Sequence, residues 1–137
     1  MIYEAKLLGA SAVLLICSIL SKEQLSEYMA VCDALGLSAL VETHDETEVQ
    51  TALDIKARLI GVNNRNLKDF SVNTANSTSL RKLIPSDVLF VSESGVKTPE
   101  DIAALRAIGA DAVLIGETLM RAADKKKMLA ELKGITA

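Results

Sequence analysis

Tryptophan is absent from this 137-residue chain, histidine occurs once, and two tyrosines and two phenylalanines complete its aromatic side chains. Half of all residues are nevertheless hydrophobic, so one domain over residues 1–137 can bury a sizeable, mainly aliphatic core. No apolar run approaches the roughly 18 residues of a membrane span, and no basic segment precedes a signal-like stretch. A cytoplasmic protein with no membrane partner is expected. Cys17 and Cys32 stand in no ligand-like spacing and read as buried thiols; His44 has no metal-binding neighbour pattern, so no metal site is expected. Net charge is −3. Lys125, Lys126 and Lys127 form the one basic cluster, without interleaved aromatics, which argues against nucleic acid as a partner and for a solvated helix face.

What the chain does have is repetition. Leu8-Gly9-Ala10-Ser11-Ala12-Val13-Leu14-Leu15-Ile16 resembles Ile108-Gly109-Ala110-Asp111-Ala112-Val113-Leu114-Ile115-Gly116, and weaker copies begin at Leu35 and Ile55. Each copy reads as a helix end, a tight turn and a buried strand, so the class is α/β with parallel (βα) repeats. Strands are expected at Ala12–Cys17, Ser38–Glu42, Leu59–Asn63, Val88–Ser92 and Ala112–Gly116, the first buried on both faces. Helices are expected over residues 1–8, as the second half of an amphipathic helix, from the Ser21 cap to Leu35, after the Asp45 cap, from Thr74 to Leu83, from the Thr98-Pro99 start, and from Asp124 to Leu132. A short turn follows Thr118, and Asn64 to Lys68 form a polar loop.

The stretch from Val91 to Arg121 is the most telling. Two apolar runs end in Ser92-Glu93-Ser94-Gly95 and in Ile115-Gly116-Glu117-Thr118, with a capped helix between them. Glycine lets backbone N–H groups come close to an anion, so these ends suit a phosphate. They equally suit plain tight βα turns.

Five βα units can make a free-standing flavodoxin-like sheet or five strands of a TIM (βα)8 barrel that lacks its first three strands. Length favours the sheet, since a complete barrel typically takes about 250 residues. Side-chain chemistry favours the partial barrel. A flavodoxin-like receiver would want acids near Cys17-Ser18 and an aspartate where Asn63 stands, whereas polar residues close three successive strands here, at Glu42, Asn63 and Glu93. A chain that opens within a helix fits a barrel missing its front.

The segments VLLICSIL, LVETHDETEV, IGVNNRNLKDFSVN, VSESGVKTPEDI and ADAVLIGETLMR, in this order and spacing, resemble indole-3-glycerol phosphate synthase from the helix after its third strand onward. The resemblance covers residues 1–133. It implies a carboxy-lyase of tryptophan biosynthesis that closes the indole ring of a carboxyphenylamino deoxyribulose phosphate, with loss of CO2 and water and with no cofactor. On that resemblance Glu42 takes part in acid–base catalysis, Asn63 hydrogen-bonds the substrate, and Arg65 orders the site. Glu93 and Ser94 match the polar pair ending the seventh strand, and Gly95, Gly116 and Glu117 the phosphate cradle. Several relatives carry serine at position 117, where glutamate adds like charge near a phosphate.

The family's general-acid lysine, and a glutamate and second lysine on its first strand, match nothing here, so the chain alone is expected to be inactive. Two other readings stay open: a non-catalytic half-barrel used in assembly, and a flavodoxin-like domain binding phosphate or FMN. The latter has few aromatics to stack on a flavin. A half-barrel would expose its inner face and two strand edges, so a homo-oligomer is expected.

Overall fold

The computed structural model describes residues 1–66 and 71–134. Among them five parallel strands form one sheet in sequential order, β1 (Ala12–Ile16), β2 (Ser38–Thr43), β3 (Leu59–Asn63), β4 (Leu89–Glu93) and β5 (Ala112–Leu114). Helices α1 (Ile2–Leu7), α2 (Lys22–Leu35), α3 (Glu46–Asp54), α4 (Ala75–Arg81), α5 (Pro99–Ala107), α6 (Glu117–Arg121) and α7 (Lys125–Leu132) lie between and around them.

The sequence repeat is a repeated helix stop. Gly9, Gly36, Lys56 and Gly109 all have positive φ. In each copy this residue's N–H returns to the carbonyl three back, and the next N–H returns five back: Ala10 to Ala5, Leu37 to Cys32, Ala57 to Ala52, Ala110 to Leu105. This paired closure satisfies carbonyls that a helix end leaves open and turns the chain directly into a strand. Lys56 does the same work without glycine, at φ 60, which accounts for the weakness of that copy in the sequence.

Helix starts follow their caps. Ser21 accepts from Gln24 N–H and Gln24 returns the bond to Ser21 N–H, while Thr98 and Asp101 form the same box around Pro99. Asp45 and Asp124 cap α3 and α7.

Strand parity divides the sheet into two unlike faces. Val41, Ile60, Val62 and Phe90 point to the helices and pack on Val49, Ala52, Leu80 and Ile84. A smaller cluster gathers Val96, Leu105 and Leu132 under the C-terminal end. The other face carries the in-register pairs Leu14–Leu40 and Leu59–Leu89, then Ile16–Glu42–Gly61–Val91–Ala112, then Asn63–Glu93–Leu114. Among the described residues no layer covers it, and Leu14, Leu89 and Leu114 are 44%, 53% and 48% exposed.

Several expectations change. The edge strand β1 is not buried on both faces, since only Leu15 in it is buried. Cys17 leaves the strand to open a 3₁₀ turn over Cys17–Ile19 and is half-buried; Cys32 is buried. No residue of α1 is buried, so its apolar side meets no core. Helix α4 starts after Thr74 and ends at Arg81, two residues before the expected Leu83. The stretch expected as a turn after Thr118 is helix α6. After β3, Arg65 bridges Val72 in an antiparallel pair, while Leu67 and Lys68 of the expected loop lie outside the described residues. No helix among the described residues is long and apolar enough to cross a membrane.

Candidate active site

The strands end together at one rim, and that is where the polar residues gather. Glu42, Asn63 and Glu93 are all buried there, on the uncovered face. Glu42 and Glu93 belong to β2 and β4, with β3 between them. Their carboxyls nevertheless meet, because β3 presents Gly61 at that register position: a Cβ at Gly61 would overlap Glu93 Oε1 and lie 3.0 Å from its Cδ. Burial, then a hydrogen bond that protonated Glu93 donates to the Glu42 carboxylate, then the charge of Glu42 push Glu93 up to about 8. Glu93 Oε1 itself has no hydrogen-bond partner among the described residues. Near neutral pH Glu93 therefore keeps its proton beside the Glu42 carboxyl.

Asn63 is set by an Asx-type turn: its Oδ1 accepts from Arg65 N–H at 2.9 Å. That orientation leaves the Nδ2 donors for a ligand. Asn64, expected to open a polar loop, is a fully used structural node. It donates to Ser92 Oγ and Ser94 C=O, and its Oδ1 accepts from Ser77 N–H; Ser77 and Ser92 hydroxyls meet at 2.8 Å. This buried net ties the ends of β3 and β4 to α4. Asn76 adds a further tie, donating to the carbonyls of His44 and Asn63. The asparagine-rich sequence around these positions carried the signal, but their partners lie on other elements.

Ser94 and Gly95 follow β4 with φ of 64 and 88, a sharp reversal that turns the backbone at the rim. Glycine is required at 95, where a Cβ would sit 2.7 Å from Val72 Cγ1 and 2.9 Å from Thr74 Cγ2. Gly116 is different: its φ is ordinary and the space beside it is open. The Ser94–Gly95 and Gly116 loops adjoin, with Thr118 Oγ1 donating to Val96 C=O. Glu117 does not stand as bare charge. Arg65 Nη2 lies 2.7 Å from one of its oxygens and Arg121 Nε 2.9 Å from the other, and these bonds hold its carboxyl below the usual range.

His44, absent from the residues expected at the site, lies at the same rim. Its Nε2 is 3.3 Å from Glu42 Oε1 and its Nδ1 3.0 Å from Glu48 Oε2. Beside it opens a cavity of about 560 Å³, lined by residues including His44, Asn63, Arg65, Asn73 and Asn76.

Comparison with known proteins gives the family and the fold. A family model described as indole-3-glycerol phosphate synthase matches residues 1–132. The indole-3-glycerol phosphate synthase of Ruminiclostridium cellulolyticum is 59% identical over 133 residues, covering 97% of this chain and 51% of the relative; that of Lachnoclostridium phytofermentans is 57% identical, covering 98% and 49%. The chain thus spans about half the length of the curated relatives it matches. Among solved structures, 3-hexulose-6-phosphate synthase from Salmonella typhimurium superposes with a TM-score of 0.79 at 15% identity, over 97% of this chain and 66% of that one. Thiamine phosphate pyrophosphorylase from Pyrococcus furiosus gives 0.77 at 16% identity, over 98% and 63%. At such identities these two share the fold alone.

Proposed function

The chain belongs to the indole-3-glycerol phosphate synthase family, and we propose that its residues supply the C-terminal part of that enzyme's active site, in a cytoplasmic step of tryptophan biosynthesis. The substrate is a carboxyphenylamino deoxyribulose phosphate. A bond forms from the ring carbon bearing the carboxylate to the ketone carbon, the carboxylate departs as CO2, and the former ketone oxygen leaves as water. Such a sequence needs a proton donor at oxygen, a base for the proton lost on rearomatisation, and a hold on the phosphate.

The observation that carries this reading is the Glu42–Glu93 pair converging over Gly61 at the strand-end rim. The proton kept on Glu93 gives the rim an acid within the buried wall. Glu42 serves as the acid–base residue, Asn63 donates from Nδ2 to the substrate, and Ser94 contacts it beside Glu93. Arg65 orders the rim by tying the β3 loop to Glu117. Backbone N–H groups of Gly95, Gly116 and Glu117 bind the phosphate. In the family the lysine that polarises the ketone belongs to segments these residues do not match, and one positioned general acid contributes about 10²- to 10⁴-fold. A polypeptide of these 137 residues is therefore expected to show no turnover by itself.

The test supplies the front half of the R. cellulolyticum relative in trans and follows indole-3-glycerol phosphate by fluorescence. Complementation should appear, vanish with Glu42→Gln, and survive Lys126→Ala on the solvated face of α7. Robust turnover by the 137 residues alone, or a complemented activity indifferent to Glu42→Gln, would refute the assignment. A second reading, assembly of this half-barrel with its own copies, is favoured by the uncovered leucines of the inner face.

A further inference from the structure

His44 stands directly after β2, one residue before the Asp45 cap of α3, with a side chain only 16% exposed. Two bonds converge on one oxygen of Glu48: His44 N–H donates to Oε2 at 2.8 Å, and Nδ1 lies 3.0 Å from the same atom. An ionised carboxylate only accepts, so Nδ1 carries the ring proton there. The far side of the ring is then fixed. Nε2 faces Glu42 Oε1 at 3.3 Å, buried, with no well-aligned hydrogen bond to any described residue. A bare nitrogen lone pair against a bare carboxylate oxygen would be repulsive in such a place, and a proton between them removes the conflict.

We propose that His44 is a positioning residue that holds the Glu42 carboxyl through a proton shared between Nε2 and Oε1, with Glu48 locking the ring from behind. The inference rests on the acid–base reading of Glu42 given above and adds to it the group that aims Glu42. Asn76 steadies the arrangement from α4 by donating to His44 C=O at 3.1 Å and to Asn63 C=O at 3.2 Å, which joins the ring's backbone to the end of β3. Titratable groups from several elements gather around the ring. Glu42 comes from β2, with Glu93 of β4 behind it; Glu48 and Asp45 come from α3; Cys17 comes from the 3₁₀ turn, its Sγ 3.9 Å from Glu48 C=O. Burial, reinforced by the charges of Glu48, Glu42 and Asp45, pushes the Cys17 thiol up to about 12, so it stays neutral and does not compete for the proton. His44 is the one ion-pair partner of Glu42 among the described residues. A Glu48–His44–Glu42–Glu93 line results, in which the carboxyl that would meet substrate is gripped on both sides.

The chain has a single histidine, so its long-range 1H–15N spectrum contains one imidazole. In the full 137-residue chain both ring nitrogens should carry a proton, Nδ1 toward Glu48 and Nε2 toward Glu42. Glu42→Gln should shift the Nε2 resonance and leave Nδ1 nearly still, while Glu48→Gln should release the ring to the ordinary Nε2–H form. His44→Asn, with its fold checked by the backbone amide spectrum, should move the 13C carboxyl resonance of Glu42; His44→Gln serves if the asparagine variant does not fold. A wild-type ring protonated on one nitrogen only, an Nε2 resonance indifferent to Glu42→Gln, or a Glu42 carboxyl indifferent to both His44 variants would each overturn the proposal. None of these readouts needs turnover, so failure of complementation would strike the acid–base reading alone. Where the pair does complement, His44→Asn should lower kcat about 10²-fold with little change in KM, the signature of a misaimed group rather than lost binding.

Discussion

Glu93 crosses Gly61 to reach the carboxyl of Glu42, two strands away. A side chain on β3 would separate the two acids, and glycine removes the obstacle at the one register position where it matters. Both acids are buried at this crossing, Glu93 almost completely. The meeting of the two carboxyls is thus a product of sheet register and not of sequence proximity.

A pH dependence of stability follows. The folded chain keeps a proton on Glu93 up to about 8, whereas the unfolded chain releases it near the ordinary value of 4.5. Between those limits the folded state binds more protons, so this group's contribution to stability falls as pH rises through the window. Thermal unfolding should show Tm declining from weakly acidic to weakly alkaline pH in the parent, and a flatter profile in Glu93→Gln. Parallel profiles for the two proteins would show that Glu93 is not held protonated.

Gly61→Ala tests the crossing itself. Its Cβ would overlap Glu93 Oε1 and press on Leu40 Cδ1 at 3.2 Å, so the carboxyl must withdraw from Glu42. Overpacking at a buried site commonly costs about 1–3 kcal/mol. Urea unfolding should register that loss, and the Glu93 13C carboxyl should titrate at lower pH than in the parent. An unchanged titration would mean the two acids do not meet through this gap.

Legibility in the sequence tracked locality. The repeated stop at Gly9, Gly36 and Gly109 and the caps at Ser21, Asp45 and Thr98 are each written within a few residues, and the sequence pattern located their elements closely. Strand ends with Glu42, Asn63 and Glu93 on one rim were legible for the same reason. What escaped depends on partners far along the chain. Asn64 is structural because Ser77, Ser92 and Ser94 complete it, and His44 joins the site because Glu48 turns its ring toward Glu42. The exposure of β1 escaped too: an apolar run reads alike at an edge and in the middle of a sheet.

The ion pairs of Glu117 give a prediction for anion binding. Its carboxylate lies between Arg65 and Arg121 beside the rim where Gly95 and Gly116 would bind phosphate, so a phosphate must tolerate or displace it. Removing one like charge at about 4 Å in a watery setting is worth about 1 kcal/mol, or about fivefold in affinity. Phosphate titrated against backbone amide shifts should perturb Gly95 and Gly116, and Glu117→Ser should tighten binding by that factor. Unmoved amides at millimolar phosphate would remove the cradle; weaker binding in the variant would mean that Glu117 aligns Arg65 for the anion instead of opposing it.

Association state follows from the uncovered face. A compact protein of 14.6 kDa exposes about 6,900 Å² by size scaling, whereas this chain exposes 8491 Å². Part of that excess lies over Leu14, Leu89 and Leu114, and β1 and β5 each leave one edge unpaired. Apolar surface and open edges on one molecule favour pairing with another copy. Covering each half-exposed leucine contributes a share of the roughly 1.5–3 kcal/mol that full burial would give, so a few such contacts per copy can offset the cost of association. Sedimentation equilibrium of the 137-residue chain should therefore report a dimer or larger assembly at micromolar concentration, and Leu14→Lys should shift it toward monomer. Leu114 is the register partner of Glu93, so Leu14→Lys alone, on the far edge strand, is the variant that tests the surface without disturbing the site. A well-folded parent monomer would show that the leucine rows stay solvated and that this face is not used between copies.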